Sequence, residues 1–128
     1  MGMNVLIVDD SALTRKAIRR IVDMIGLDIE NVFEAQNGVE ALKILSETHI
    51  HLVLADLNMP EMGGIEMIYH MRGNDATRDI PVVIVSTESS TTVIEGLLAD
   101  GAKDYLHKPF TPEEFREVLT RTVGVCKP

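Results

Sequence analysis

The feature that most constrains this chain is a set of apolar runs that do not alternate with polar residues. Val5-Leu6-Ile7-Val8, His51-Leu52-Val53-Leu54-Ala55 and Pro81-Val82-Val83-Ile84-Val85 are all but unbroken. A strand with one wet face alternates apolar and polar side chains, whereas a continuous run has both faces covered, as in a parallel sheet between helix layers. Parallel neighbours need crossovers, and the segments between the runs carry helical spacing. From about Ser11 to Ile25, the residues Ile18, Ile21, Val22 and Ile25 fall on one helix face, and Gly26 supplies a stop. A weaker strand is expected at Asn31 to Ala35. Asn37-Gly38-Val39-Glu40 then reads as a capping box opening a second helix, with Ala41, Leu42 and Leu45 as its buried stripe. Helices are predicted from about Gly64 to Arg72 and from about Ser90 to Asp100, where Gly101 ends the fourth. The fifth strand is Asp104 to His107. Thr111-Pro112-Glu113-Glu114 starts the last helix, with Thr as N-cap and Pro at the first helical position. Five such units with right-handed crossovers predict an α/β fold: a doubly wound five-stranded parallel sheet with five helices. The common order for five strands is 2-1-3-4-5, the flavodoxin-like order.

At 128 residues the chain is expected to form a single domain over 1–128. No apolar run approaches the roughly 20 residues that span a bilayer, and no basic segment precedes a leader-like apolar stretch. Gly2 does not open a myristoylation motif, because Leu6 stands where that motif wants Ser or Thr. Neither a membrane partner nor membrane insertion is expected, and the expected location is cytoplasmic. A lone Cys126 cannot form an internal disulfide, which agrees with a reducing compartment. The net charge of −8 disfavours direct nucleic-acid binding. Arg15, Lys16, Arg19 and Arg20 are a local exception and read as a solvated basic helix face.

In sheets of this kind ligands bind beyond the carboxyl ends of the strands, where strand order reverses. Here that point lies between strands 1 and 3. Strand 1 ends in Asp9-Asp10, strand 3 in Asp56, strand 4 in Ser86-Thr87 and strand 5 in Lys108-Pro109. Carboxylates crowded at one point repel each other, so either their pKa values rise or a cation neutralises them. Oxygen ligands select hard ions, Mg²⁺ first, with Mn²⁺ or Ca²⁺ able to substitute. A lysine and a hydroxyl facing the same point suit a phosphoryl group, and a carboxylate can accept one as nucleophile. Each piece alone has a plainer reading as cap, turn or loop. Their matched placement at four strand ends is what points to a site.

Asp9-Asp10, Asp56-Leu57-Asn58-Met59-Pro60 with Gly63-Gly64, Ser86, and Lys108-Pro109-Phe110 resemble the receiver domain of two-component response regulators. The likeness extends over nearly the whole chain, and Ser86-Thr87-Glu88 with Tyr105 resembles the stand-alone chemotaxis regulators in particular. The resemblance implies a phosphorelay signalling protein. Asp56 would be the phospho-acceptor, Asp10 a direct Mg²⁺ ligand, Asp9 a ligand through water, and the Asn58 backbone carbonyl a further ligand. Lys108 would pair with the phosphoryl group, and the Lys108-Pro109 peptide would be cis. Ser86 would move to the phosphoryl oxygen and Tyr105 would turn inward behind it. The face of the fourth helix, fifth strand and fifth helix would then change its affinity for partners. Asn58 and Glu88 would tune the attack of water on the acyl phosphate, and both are expected to be exposed. Implied partners are a sensor histidine kinase or phosphotransfer domain, a downstream target such as a flagellar motor switch, and a phosphatase. Self-phosphorylation and self-dephosphorylation would be its only chemistry, so it would not be an enzyme. Ser at 86, where Thr is commoner, keeps the hydroxyl.

Other classes fit less well. A flavin-binding electron carrier would need a hydroxyl- and glycine-rich phosphate loop after strand 1, where Asp-Asp would repel phosphate, and the chain has no Trp to stack on a flavin. A phosphatase with an aspartyl nucleophile would need a carboxylate where Asn58 stands. A receiver cut from a longer regulator is the alternative within the family, with Gly124 to Pro128 as either a linker start or a true end. His49 and His51 read as surface histidines. Met59, Met62, Met67 and Met71 are expected to pack the loop and third helix into the core.

Overall fold

The computed structural model describes residues 2–123; Cys126 and the 124–128 tail lie outside the described residues. Ten elements alternate along the chain: β1(Met3–Val8), α1(Ala12–Met24), β2(Ile29–Ala35), α2(Gly38–Glu47), β3(Leu52–Ala55), α3(Gly64–Arg72), β4(Val82–Ser86), α4(Thr91–Asp100), β5(Asp104–His107) and α5(Pro112–Val123). All strand pairings are parallel, and the sheet order is β2-β1-β3-β4-β5. The chain therefore reverses direction across the sheet between β1 and β3, and both of those strands end beside each other.

The unbroken apolar runs divide their side chains between two cores. Leu6, Val8, Val53 and Ile84 face one layer with Met67 and Met71 of α3, against which Met59 and Met62 pack. Val5, Ile7, Leu54, Val83 and Val85 face the other, with Ile18 and Val22 of α1 and Phe115 and Leu119 of α5. Every residue of β3 and β4 is buried, which accounts for their lack of polar alternation. Fully burying one such side chain is worth about 1.5–3 kcal/mol, so these central strands hold the fold and keep their carboxyl ends in fixed register.

The element boundaries follow local chemistry. Ser11 caps α1 by accepting from the Thr14 N–H, and Gly26 leaves the helix at φ 80°. Asn37 caps α2 through the Glu40 N–H. The return bond of a capping box goes elsewhere, since Glu40 accepts from the N–H of Gln36, one residue before the cap. Thr111 and Glu114 form the reciprocal box at α5. Three sequence expectations shift. β2 starts at Ile29, two residues early, because the edge strand continues its pairing along β1. His51 precedes β3 and does not lie within it. β4 runs from Val82 to Ser86, one residue later than expected, so Ser86 is part of the strand and buried.

His49 is exposed as expected, but His51 differs. His51 is half-buried, and its Nδ1 accepts from the Asn4 N–H at 2.9 Å while its own N–H donates to the Asn4 carbonyl. This reciprocal clamp fastens the start of β1. It also commits the one free lone pair of the neutral ring, which removes His51 from consideration as a metal ligand.

Candidate functional site

The carboxyl ends of β1, β3, β4 and β5 bring the expected residues to one place. Asp9 and Asp10 follow β1, Asp56 follows β3, Ser86 closes β4, and Lys108 follows β5. Two glycines make room for this. At Gly64 an added Cβ would stand 2.6 Å from the Asp56 carbonyl oxygen, and at Gly63 it would stand 2.7 Å from that of Leu57. The loop after β3 can thus fold back under Asp56 only with those residues.

Among the described residues, Asp9, Asp10 and Asp56 each offer a carboxylate oxygen within 4.8 Å of the others. Asp9 is buried, Asp56 half-buried and Asp10 exposed. Lys108 reaches into this group. Its Nζ lies 3.0 Å from Asp9 Oδ2 and 3.3 Å from Asp56 Oδ2. The remaining oxygens are held by backbone: Asp9 Oδ1 accepts from the Ser11 N–H at 2.9 Å and Asp56 Oδ1 from the Leu57 N–H at 2.7 Å.

The charge balance is uneven, with three carboxylates against one ammonium. Burial pushes the pKa of Asp56 up. Lys108 opposes that shift and Asp9 adds to it. Lys108 shows the converse: burial alone would lower it, but hydrogen bonding to Asp9 and the charges of Asp56 and Asp9 outweigh that and set it above the ordinary lysine value. The ammonium is therefore firmly charged, while the carboxylates remain one cation short. An all-oxygen donor set of this kind fits a hard divalent ion. The same set repels phosphate next to β1, which is the reverse of a flavin phosphate loop.

The hydroxyl side of the site is also assembled. Ser86 Oγ accepts from the Glu88 N–H at 3.3 Å, and the Ser86 carbonyl accepts from the Lys108 N–H at 2.8 Å. Tyr105 lies inward, half-buried against the core; its hydroxyl donates to the Ser86 carbonyl at 3.0 Å and also to the Glu88 carbonyl. Burial raises its pKa, so the phenol keeps its proton. The Lys108-Pro109 peptide is cis, as the sequence reading expects. Asn58 is exposed, again as expected. Glu88 is not, being half-buried, because its carboxylate turns back to accept from the Ser90 N–H at the start of α4.

One arrangement escapes the sequence reading. Arg15 does not lie on a solvated basic face. Its side chain is 13% exposed, and its guanidinium spans the Asp9 carbonyl and Glu34. Arg15 does lie four residues after the Ser11 cap, one turn into α1, but nothing in the sequence marks Glu34 on β2 as its partner.

The chain matches the family model described as the response regulator receiver domain over residues 5–120. It is a response-regulator receiver. It is 35% identical over 123 residues to the chemotaxis protein CheY homolog of Campylobacter jejuni, covering 95% of this chain and 93% of that protein. It is 33% identical over 123 residues to chemotaxis protein CheY1 of Helicobacter pylori, covering 95% and 98%. The structure of CheY4 from Vibrio cholerae superposes with a TM-score of 0.85 at 30% identity, covering 95% of the receiver and 99% of that chain. As a two-component receiver it works with a kinase upstream and a target downstream. No helix among its described residues is long and apolar enough to cross a membrane.

Proposed function

We propose that this receiver takes a phosphoryl group onto Asp56 from the phosphohistidine of a sensor kinase or phosphotransfer domain, and then signals through the α4–β5–α5 face to a chemotaxis-type target. The observation that carries this reading is Lys108, whose Nζ contacts Asp56 and Asp9 together at the carboxyl ends of β1, β3 and β5.

In the transfer, an oxygen of Asp56 bonds to phosphorus as the phosphorus–nitrogen bond of the donor breaks, and the released imidazole takes up a proton. Asp10, Asp56 and the Asn58 carbonyl, with Asp9 through water, would hold a Mg²⁺ ion that offsets charge on the phosphoryl oxygens. Lys108 is placed to exchange its contact with Asp56 for one with a phosphoryl oxygen. Ser86 supplies the hydroxyl for another. In the reverse direction water attacks phosphorus and the Asp56 carboxylate leaves, past Asn58 and Glu88 at the rim. Asn58 has no acidic proton to give, so turnover of foreign phosphoesters is not part of the function and the domain is not an enzyme toward them. The partners fitting this reading are a flagellar motor switch component and a phosphatase, in the cytoplasm.

The test is incubation with acetyl phosphate and Mg²⁺ followed by intact-mass measurement. Wild type gains one phosphoryl group, and Asp56→Asn gains none. Equal labelling of both proteins, or no labelling of wild type, overturns the proposal.

A further inference from the structure

The exposed carboxylate of Asp10 has no hydrogen-bond or ion-pair partner among the described residues. Where its Cβ stands, and so what its carboxylate can reach, is set by its backbone. That backbone is gripped at the peptide joining Asp9 to Asp10. Arg15 Nη1 donates to the Asp9 carbonyl oxygen at 2.7 Å, and the peptide before it is held too, its Asp9 N–H donating to the Ala35 carbonyl at 3.0 Å. A peptide is planar, so fixing its carbonyl also fixes the nitrogen and Cα of Asp10. The guanidinium is itself held: its Nε donates to Glu34 Oε1 at 2.9 Å, while Arg19 Nη1 donates to Glu34 Oε2 at 2.9 Å. Glu34 keeps its charge for this purpose, since the two arginines outweigh burial and lower its pKa.

We infer that Arg15, oriented by Glu34, is a positioning residue for the divalent-cation site, holding the Asp9–Asp10 peptide so that the carboxylate of Asp10 converges with those of Asp9 and Asp56. This inference rests on the reading of that cluster as a cation site. It has a consequence opposite in sign to simple electrostatics. Arg15 is a positive charge beside a cation site, so by Coulomb repulsion alone its removal should tighten metal binding. If it positions the ligand, removal should loosen it. Outer partners that orient metal ligands typically contribute about 10–100-fold in affinity. Lysine cannot span both acceptors as the forked guanidinium does.

The experiment is titration of the full chain with Mn²⁺, following free ion by electron paramagnetic resonance, together with thermal melts of the metal-free proteins. Arg15→Met and Arg15→Lys should each raise Kd by about tenfold. Lys16→Met removes the same charge from the next residue of α1 and should leave Kd unchanged or slightly lower. A role in stability alone would lower the metal-free melting temperature without moving Kd. An unchanged or tighter Kd in folded Arg15→Met overturns the inference. If that variant does not fold, Glu34→Gln decides: a severalfold weaker Kd supports the inference and an unchanged one overturns it. Wild type that binds no Mn²⁺ removes the cation site and this inference together, whereas normal binding by wild type and variants alike removes the inference alone.

Discussion

Replacing Asp56 by Asn should make the metal-free protein more stable, although it removes the proposed acceptor. The Asp56 carboxylate stands 3.3 Å from the Lys108 ammonium, an attraction of about 5 kcal/mol at an effective dielectric constant near 20. Asp9 and Asp10, within 4.8 Å, each oppose it by about 3.5 kcal/mol on the same scale, less for Asp10 because it is exposed. The charges nearly cancel, which leaves the cost of burying the carboxylate to decide the sign. That cost is the largest cause of its raised pKa. Asn keeps an oxygen to accept from the Leu57 N–H, and Lys108 keeps Asp9. The expected gain is about 1–2 kcal/mol, comparable with the desolvation cost of a buried polar group. For a domain of this size it corresponds to a rise of roughly 3–8 °C in melting temperature. The pH dependence has a definite sign. A carboxyl whose folded pKa is raised favours the native state below its unfolded pKa, and loses that contribution as pH rises through the folded value. The gap between variant and wild type should therefore be full at neutral pH and close as pH falls through the raised pKa of Asp56. Urea melts in EDTA at several pH values measure it. A variant less stable than wild type at neutral pH, or a gap that widens in acid, refutes the reasoning.

Mg²⁺ at millimolar concentration should raise the melting temperature of wild type by binding only the native state, and Asp10→Ala should erase that rise; the comparison is a melt of each protein with and without the ion. Asn58→Arg should change the rate of self-dephosphorylation severalfold while costing no more than about 0.5 kcal/mol, because the site is exposed. Glu88→Leu should change the same rate but also lower stability by about 1 kcal/mol, since its carboxylate accepts from the Ser90 N–H; phosphoryl loss with time and urea melts separate the two effects. Tyr105→Phe should leave the rate of labelling by acetyl phosphate unchanged and cost about 1 kcal/mol, because the carbonyls of Ser86 and Glu88 lose a donor. A slowed labelling rate would place the phenol in the acceptor site itself.

The parts of this fold written as patterns were readable from the chain. Unbroken apolar runs require two covered faces, so β1, β3 and β4 announced a parallel sheet before any pairing was known. The placement of Asp9, Asp10, Asp56 and Lys108 followed from that sheet alone, because residues just beyond parallel strands share one edge. What was not readable depends on partners distant in sequence. Arg15 looks like one more cation on a basic helix until Glu34 of β2 and the Asp9 carbonyl are found within its reach. His51 looks like a surface histidine until the Asn4 N–H is placed against it. Glu88 reads as a solvated loop residue, but its carboxylate accepts from the N–H of Ser90, the N-cap of α4, a local bond that composition does not reveal. Ser86 closes β4 where the pattern alone puts it just beyond the strand, and as the last strand residue it is buried.

The buried Ser86 connects the cluster around Asp56 to Tyr105. Its side chain and its backbone serve different neighbours. The hydroxyl faces the Glu88 N–H, while the carbonyl accepts from both the Lys108 N–H and the Tyr105 hydroxyl. A phosphoryl group on Asp56 would draw the Lys108 ammonium away from the Asp56 carboxylate and could accept from the Ser86 O–H, whose oxygen here accepts from the Glu88 N–H. Movement of Ser86 toward such a group would strain the bonds that hold the end of β4, the loop after it and Tyr105 in one arrangement. Each of those bonds is worth about 1 kcal/mol net, so losing two or three would change the balance between arrangements by a factor of roughly 30–150 without unfolding the sheet beneath, whose central strands are wholly buried. The fully buried strands thus keep the carboxylates in register, while the bonds gathered at Ser86 are the ones a group on Asp56 would disturb.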